Sequence, residues 1–484
     1  MQRLLLAASL ALASFAVAAQ DHAIYSDGFE PPYIAPQFQR IGGDWVIPDD
    51  PAAGPAATQL RWLLSELAGG ENTTAAEVDA HLVTGSPQTW ADNINALRTQ
   101  YPNARVTDLV RLVPNYAEYV IRGDNPEAQP YYMAILVQYT GMQKIKGIAQ
   151  QVLPGGTVIA PGHASLTLAQ AVNSLASLVP DSSVLVARIG SNDQCVPISQ
   201  ANATESRSTA SIIKNWVLLG AARMIVDGGL HADETIPLDP ALFSQGAPLN
   251  NETPNTPIPL LDLAKMMMGN SDNTATDLIE HRVGRARLEA TVDASGYSDP
   301  HLLKPFLSMS ENFHLAFSFD APTTNAYMNG SEGYQQQFLL DYIVPLGGFT
   351  DASPHPYFNP IIFSRGGWRA SPNDVCAVLA GLRRLPQGSE AMQTVDAALG
   401  SNAWLPDVRN HWDRVWYKEG LFYNGAGGNY VYNNVWLVEN AGQPPYVVIS
   451  MLNDDNAGIS DTATIGTVDS LNARILQILA TEHP

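Results

Sequence analysis

The chain has 484 residues, of which 45% are hydrophobic and 15% are charged, a composition typical of a globular protein. This length exceeds what one hydrophobic core usually holds, so two folded units are expected. The formal net charge of −21 argues against nucleic acid as a partner, because that function needs a basic face that displaces counterions.

The first 19 residues have the pattern of an export signal. Arg3 supplies a positive charge, an apolar run follows from Leu4 to Phe15, and AVAA at 16–19 provides small residues for cleavage. The apolar run is too short to span a membrane comfortably. We therefore expect an exported protein, periplasmic or extracellular, without a membrane anchor in the mature chain.

The next segments predict a small domain between two linkers. Residues 20–56 lack a regular pattern and contain several prolines, which is typical of a leader or linker. From 57 to 152, two helical patterns are followed by three or four strand-like runs, which predicts an α+β unit with an antiparallel sheet. The segment 153–164, which includes LPGGTVIAPGH, predicts a second linker.

Residues 165–484 predict a second unit with strands near both ends. A helix and a strand open it, a strand and a helix close it, and helical patterns fill the middle. One sheet built from both ends, with an inserted helical lobe, fits this order. In an oxidising compartment the two cysteines, Cys195 and Cys376, form a disulfide or remain buried thiols, and the sequence leaves both open.

Ser211 and Lys214 stand at the beginning of the apolar run SIIKNWVLLGAA. On a helix they share a face, and the helix start offers unpaired backbone N–H groups near the serine. A serine nucleophile needs an adjacent base, and a lysine serves as that base only when burial or a nearby cation lowers its pKa. Taken alone, the pattern also fits an N-capping serine beside a lysine that reaches water.

Two later motifs favour catalysis. They are S-D-N at Ser271–Asn273, between two helical patterns, and K-E-G at Lys418–Gly420, in a predicted strand. In this order the three motifs resemble those of class A β-lactamases and penicillin-binding serine hydrolases, over roughly 165–482. The resemblance implies a class A β-lactamase-like α/β domain that forms an acyl-enzyme.

The resemblance implies a role for each motif residue. Ser211 would be the acylated nucleophile, and Lys214 its proton acceptor, directly or through water. Ser271 would relay a proton toward the leaving group, and Asn273 would hydrogen-bond the substrate. Asp272 is expected to brace the loop.

The third motif departs from the family pattern. Lys418 would be the second cation, and the strand through Gly420 would supply the Leu421 N–H, which with that of Ser211 forms the oxyanion hole. Glu419 replaces the hydroxyl residue that normally helps to bind the carboxylate of a β-lactam. An ionised Glu419 facing the pocket would repel that anion, whereas it could instead point away or pair with a cation.

The deacylating acid is uncertain from sequence. Class A enzymes use a glutamate in an E-x-x-L-N context after S-D-N, and Glu311 is the candidate here, although its context differs. Glu311 is therefore either the deacylating acid or an acid at the start of a helix.

The domain order resembles superfamily members in which a steroid-isomerase-like (NTF2-like) domain precedes the serine enzyme, as in a protein of clavulanic acid biosynthesis. The matching pieces are TQLRWLLSELAGG, CVPISQANATESRSTASIIK, MMGNSDNTATDLIEHRVGR and SPNDVCAVLAGL. The resemblance implies an NTF2-like α+β cone at 57–152, which we interpret as a binding or packing module. No metal or cofactor is expected, because the ten histidines are scattered and no ligand spacing occurs.

The expected function is that of an exported serine hydrolase, a β-lactamase or a relative, that hydrolyses a β-lactam amide. One alternative is an esterase or D-alanyl peptidase of the same fold, acting on a cell-wall peptide or an ester. The other is a penicillin-recognising protein that binds without turnover. The oligomeric state is left open.

Overall fold

The computed structural model describes residues 38–423, 429–456, 458–459 and 462–483. The predicted export signal at 1–19 and the first part of the predicted leader lie outside the described residues. Within the described ranges, no helix combines the length and the apolar character needed to cross a membrane.

The N-terminal unit packs three helices against a four-stranded antiparallel sheet in the order β3-β4-β5-β6. Leu60, Leu63 and Leu67 of the first helix are buried in its core, as their helical spacing predicts. The elements are β1 (Gln39–Ile41), β2 (Asp44–Val46), α1 (Pro55–Ala68), α2 (Ala75–His81), α3 (Pro87–Gln100), β3 (Arg105–Val113), β4 (Tyr116–Arg122), β5 (Tyr131–Val137) and β6 (Ile145–Val152).

The order of helices followed by an antiparallel sheet agrees with the sequence, and the likeness to NTF2-like domains stays a prediction. The predicted leader differs, because β1 and β2 pair as a hairpin within it. Trp45 Nε1 donates to Asn410 Oδ1 at 3.2 Å, so this part of the leader is packed on the C-terminal unit.

The C-terminal unit is built on a five-stranded antiparallel sheet in the order β13-β14-β15-β7-β8. The prediction of one sheet assembled from both ends of the unit is confirmed by this order. The elements outside the inserted lobe are α4 (Leu168–Ala176), β7 (Asp181–Ile189), β8 (Cys195–Ala201), β13 (Arg414–Tyr423), β14 (Asn429–Glu439), β15 (Tyr446–Asn453) and α15 (Thr462–Glu482).

The lobe inserted between β8 and β13 is mainly helical, as predicted. Its short strands are β9 (Arg207–Ser208), β10 (Thr235–Pro237), β11 (Pro257–Pro259) and β12 (Arg369–Ala370). Its helices are α5 (Lys214–Val226), α6 (Leu260–Gly269), α7 (Asn273–Val283), α8 (Arg285–Asp293), α9 (Met309–Phe317), α10 (Ala321–Met328), α11 (Glu332–Phe338), α12 (Ile361–Ser364), α13 (Pro372–Arg383) and α14 (Glu390–Leu399).

The central sheet has a hydrophobic core on each face. Helices α4 and α15 cover one face, and the lobe, with α13 packed on the sheet, covers the other. A disulfide between Cys195 in β8 and Cys376 in α13 links the sheet to the lobe. The two cysteines are 181 residues apart, and the first two of the three motifs lie between them.

The two units are joined by backbone hydrogen bonds as well as by side chains. The edge strand β3 contacts the segment that follows α14: Leu112 N donates to Ser401 O, and Ala403 N donates to Val110 O, each at 2.8 Å. Gly269 ends α6 at the same place, where an added Cβ would lie 2.3 Å from Val113 Cγ1. The N-terminal unit is therefore packed directly behind the loop that carries the S-D-N motif.

Candidate active site

Ser211 lies in a short 3-10 turn, Ala210–Ile213, immediately before α5. The α-helix begins at Lys214 and not near Ser211 as the sequence predicts. Ala210 is fully buried and has a φ of 43°, a left-handed conformation that is unfavourable for a residue with a Cβ. Such strain is tolerated where the surrounding structure fixes the backbone, and here it sets the path of the chain into Ser211.

Lys214 is fully buried, and its side-chain nitrogen is held by the S-D-N loop. Nζ donates to Ser271 O at 2.6 Å and to Asn273 Oδ1 at 2.8 Å, and it lies 3.2 Å from Ser271 Oγ. A neutral amine has two N–H donors, so the two shorter bonds would occupy both of them and leave the lone pair available to accept a proton.

Ser271 connects the two lysines of the site. Its Oγ accepts from Lys418 Nζ at 2.8 Å and lies 3.2 Å from Lys214 Nζ, so one hydroxyl contacts both amines. Ser271 has a φ of 57°, a second left-handed residue close to the chemistry. The structure thus brings together Lys214, Ser271 and Lys418, which are separated by up to 204 positions in the sequence (418 − 214).

The environment of Lys214 favours its neutral form. Burial lowers the pKa of Lys214, and the positive charge of Lys418 lowers it further. The carboxylates of Asp272, Glu419 and Asp277 oppose this shift, but the pKa stays well below the usual lysine value. Lys214 therefore has the lowered pKa that a lysine needs to act as a general base.

The other two residues of the S-D-N loop are held by the protein. Asp272 is the N-cap of α7: its Oδ1 accepts from Ala275 N at 2.8 Å, and its Oδ2 accepts from Leu249 N at 3.1 Å. Asp272 thus braces the loop, as expected. The Nδ2 group of Asn273 donates to Gln245 O at 2.7 Å while its Oδ1 holds Lys214, so this amide fixes the position of the lysine.

Glu419 forms an ion pair with Lys418. Of the alternatives that the sequence left open for its carboxylate, this is the pairing with a cation. Its Oε1 lies 3.0 Å from Lys418 Nζ, and both residues are buried. Burial alone would raise the pKa of Glu419, but Lys418 and Arg111 together hold it below the usual value. Lys418 itself has a lowered pKa because of burial, although Glu419 opposes that effect. The carboxylate is therefore ionised at neutral pH and offsets the charge of Lys418.

Arg111 belongs to β3 of the N-terminal unit and lies on the face of β13 to which Glu419 belongs. Its guanidinium carbon is 5.7 Å from the centre of the Trp404 ring, which stacks on Tyr417 with 5.7 Å between ring centres. Tyr417 and Glu419 are two residues apart in β13 and so share a face of the strand. Arg111 Nε also lies 3.1 Å from Glu118 Oε2, so its ion-pair partner is Glu118, and it influences Glu419 through its charge.

Gly420 allows β13 to approach the turn that carries Ser211. A Cβ at this position would lie 2.4 Å from the backbone oxygen of Thr209, closer than real Cβ atoms come. The Glu419 carbonyl accepts from Lys418 Nζ at 3.0 Å, at the free edge of the sheet. Because peptide groups alternate in direction along a strand, the Leu421 N–H is expected on that same edge, facing the site.

Glu311 has a structural role in the described fold, and the alternative of a deacylating role stays a prediction. It forms a capping box at the start of α9, where its Oε2 accepts from Ser308 N at 2.9 Å and its backbone N–H donates to Ser308 Oγ at 3.1 Å. Its Oε1 forms an ion pair with Arg285. Both carboxylate oxygens are therefore engaged, which agrees with the alternative of an acid at a helix start.

Two residues of the site were missed by the sequence reasoning, and both come from the N-terminal unit. Arg111 acts on Glu419, and the Oδ1 atom of Asn115 accepts from Asn270 Nδ2 at 2.7 Å, next to Ser271. The signal for Arg111 is its place among apolar residues in DLVRLV, since a buried charge in a strand needs a partner. No pattern in the sequence identifies Asn115.

No group of three or more His, Cys, Asp or Glu side chains in the described part of the chain is placed to hold a metal ion.

Comparison with known families gives one match. Residues 167–333 match the model of the Beta-lactamase enzyme family. The matched segment contains Ser211, Lys214 and the S-D-N loop, whereas Lys418 lies beyond it. No curated protein matches the chain significantly.

Several solved structures are similar to the C-terminal unit. A β-lactamase from Chitinophaga pinensis is 13% identical, with a TM-score of 0.44, and the alignment covers 66% of this chain and 99% of that one. A representative class A β-lactamase from Bacteroides cellulosilyticus is 16% identical, with a TM-score of 0.42 and coverage of 66% and 100%. PBP-A is 16% identical, with a TM-score of 0.39 and coverage of 64% and 96%.

The TM-scores of these structures are below 0.5, so the family of the C-terminal unit is inferred from the family match and from the geometry of the site. The family match contains two of the three motifs, and the structure joins the third to them through Ser271 Oγ. These findings support the recognition of the C-terminal unit as a member of the β-lactamase and penicillin-binding serine hydrolase superfamily.

Proposed function

We propose that the chain is a β-lactamase-related serine hydrolase that forms an acyl-enzyme on Ser211. The observation that carries the proposal is that Ser271 Oγ contacts the side-chain nitrogens of both Lys214 and Lys418. Lys214 follows Ser211 by three residues in the sequence. A buried lysine with a lowered pKa beside a second cation is the environment that an activating base requires.

The proposed acylation uses each group once. Neutral Lys214 accepts the proton of the Ser211 hydroxyl, directly or through water, as Oγ attacks the carbonyl carbon of an amide or ester. The backbone N–H groups of Ser211 and Leu421 stabilise the oxyanion that forms. Ser271 then passes a proton to the leaving group and regains one from the lysines, and the carbonyl–leaving-group bond breaks. Water later cleaves the acyl-serine ester and releases the acid.

The pair of Lys418 and Glu419 favours an ester without a carboxylate as a second candidate substrate class, over a D-alanyl peptide, whose terminal carboxylate would meet the same neutralised cation. In the family pattern, the hydroxyl residue of the third motif helps to bind the substrate carboxylate. Here the cation that would attract this anion is already neutralised at 3.0 Å by Glu419. A substrate without a carboxylate at this position loses less affinity.

The engagement of Glu311 favours a further candidate, a penicillin-recognising protein that acylates and does not turn over. Both of its oxygens are held by Ser308 and Arg285, so Glu311 is poorly placed to activate a hydrolytic water. Under this reading, Ser211 would carry a long-lived acyl group.

One experiment separates the three candidates. The purified protein is mixed with a chromogenic cephalosporin, with a p-nitrophenyl ester and with a labelled penicillin that is followed by intact-mass analysis. Turnover of the cephalosporin supports a β-lactamase, turnover of the ester alone supports an esterase, and a stable penicillin adduct supports a binding protein. Neither turnover nor an adduct with any of the three would reject the acyl-serine proposal.

A further inference from the structure

A polar cavity of about 210 Å³ lies at the end of the central sheet. Its lining consists of three arginines, the carboxylate of Asp181 and the polar side chains of Ser206, Ser364 and Asn453. The arginines come from separate parts of the fold: Arg207 from β9, Arg369 from β12 and Arg365 from the end of α12. Guanidinium groups that converge on one cavity repel each other, so their proximity needs an explanation.

The nearby carboxylates account for two of the three arginines. Arg207 Nη1 lies 3.5 Å from Asp181 Oδ1, and Arg365 forms an ion pair with Asp455. Arg369 has no carboxylate partner among the described residues: its Nη2 donates to Ser206 O at 2.9 Å, and its buried Nε has no hydrogen-bond partner there. Burial and the neighbouring arginines lower the pKa of Arg369, as expected for a cation in excess.

Asn453 supplies an independent observation. It is the last residue of β15, its side chain is only 3% exposed, and it lines the cavity. Neither its Oδ1 nor its Nδ2 has a hydrogen-bond partner in the described part of the protein. Buried amides are normally satisfied, and an unsatisfied one carries a desolvation cost. A ligand in the cavity would supply the missing partner.

We propose that this cavity binds the phosphate group of a small molecule. Arg369 and Asn453 line the cavity from different elements, and Ser364 and Ser206 add hydroxyl groups to the lining. Convergent donors of this kind match the several oxygens of a tetrahedral oxyanion. The net charge of −21 disfavours unspecific binding of anions to the rest of the surface, so a local cationic cavity is selective.

The cavity is separate from the Ser211 site but connected to it through the backbone. Asn453 pairs with Val431, which pairs with Phe422, four residues beyond Lys418 in β13. This register places the cavity roughly 13 Å along the strands and about 10 Å across them from Lys418. Arg207, however, lies in β9, four positions before Ser211, and β9 pairs with β12 at Arg369–Ser208.

The test is calorimetric titration of the full chain with inorganic phosphate and with glycerol 3-phosphate, at constant ionic strength set by sodium chloride. We expect saturable binding at one site. N453D keeps the side-chain shape and adds a negative charge, and R369Q removes the unpaired cation. Each is expected to weaken binding at least about tenfold, because a charge-assisted hydrogen bond is lost or opposed.

R287Q is the matched control, because Arg287 is an exposed arginine that pairs with Asp227 on another surface. It should leave the affinity unchanged. Equal affinity for the two ligands would indicate free phosphate, and tighter binding of glycerol 3-phosphate would indicate a phosphate monoester. The proposal is overturned if neither ligand binds above the chloride background, or if N453D, verified as folded by circular dichroism, binds as tightly as the wild type.

Discussion

Glu419 Oε1 lies 3.0 Å from the Nζ atom of Lys418, its neighbour in β13. The two side chains belong to opposite faces of the strand, and they meet because β13 is the edge of the sheet. The residue that departs from the family pattern thus neutralises the cation that the pattern supplies. Arg111, from the N-terminal unit, helps to keep that carboxylate ionised.

Replacing Glu419 should therefore change substrate preference. E419T restores a hydroxyl and leaves Lys418 free to attract an anion. We expect kcat/KM for a carboxylate-bearing cephalosporin to rise by about tenfold or more, since an ion pair of about 1.4 kcal/mol corresponds to that factor. The value for a neutral p-nitrophenyl ester should change much less. Parallel changes for both substrates would show that Glu419 does not act through charge.

Gly420 is expected to be required for activity more than for stability. In G420A the new Cβ would lie 2.4 Å from Thr209 O, so β13 must move away from the Ser211 turn. Displacing one oxyanion donor typically costs about 100-fold or more in kcat. The overpacking itself should cost about 1–3 kcal/mol in the free energy of unfolding. Gly147, where a Cβ would have 3.6 Å to its nearest neighbour, provides a control as G147A. Wild-type kcat in a folded G420A variant would contradict the assigned geometry.

Acylation should depend on pH through Lys214. The lysine must be neutral to accept the serine proton, so the rate should rise with pH and level off once pH exceeds the lowered pKa of Lys214. K418M removes the neighbouring cation, so the pKa of Lys214 should rise and the ascending limb should move to higher pH. A pH profile of single-turnover acylation measures both. An ascending limb in the wild type near the usual lysine pKa of 10.5 would contradict a neutral Lys214.

Glu311 is expected to contribute to stability and not to deacylation. E311Q keeps an oxygen for the capping box and loses the ion pair with Arg285. We expect a loss of about 1–3 kcal/mol in the free energy of unfolding and little change in the rate of acyl-enzyme hydrolysis. E332Q, at an exposed first turn of α11, is the control for a helix-start acid. Accumulation of acyl-enzyme in E311Q alone would restore the catalytic role.

Part of this site could be predicted from sequence because its motifs lie at the beginnings of elements. Ser211 and Lys214 precede or open α5, and Ser271–Asn273 precede or open α7, so local patterns indicated that both motifs lie close to a helix start. The start of α5 was misplaced because Ala210–Ile213 form a 3-10 turn, which periodicity does not distinguish from a first α-helical turn.

The contribution of the N-terminal unit could not be predicted. The charge of Arg111 acts on Glu419, more than 300 positions away in sequence, because β3 bonds to the segment 401–403, and no local pattern specifies that register. The structural role of Glu311 likewise depends on Arg285, which packing brings to it. Tertiary packing decides which distant segments pair with an edge strand and which buried charges lie next to each other.

The most direct test of the account is intact-mass analysis after a short incubation with an acylating substrate. The wild type should gain one acyl group, which peptide mapping places on Ser211. S211A should gain none, and K214A should acylate several orders of magnitude more slowly, because its nucleophile has lost the adjacent base. An acyl group on another residue, or unchanged acylation in folded S211A, would contradict the central claim.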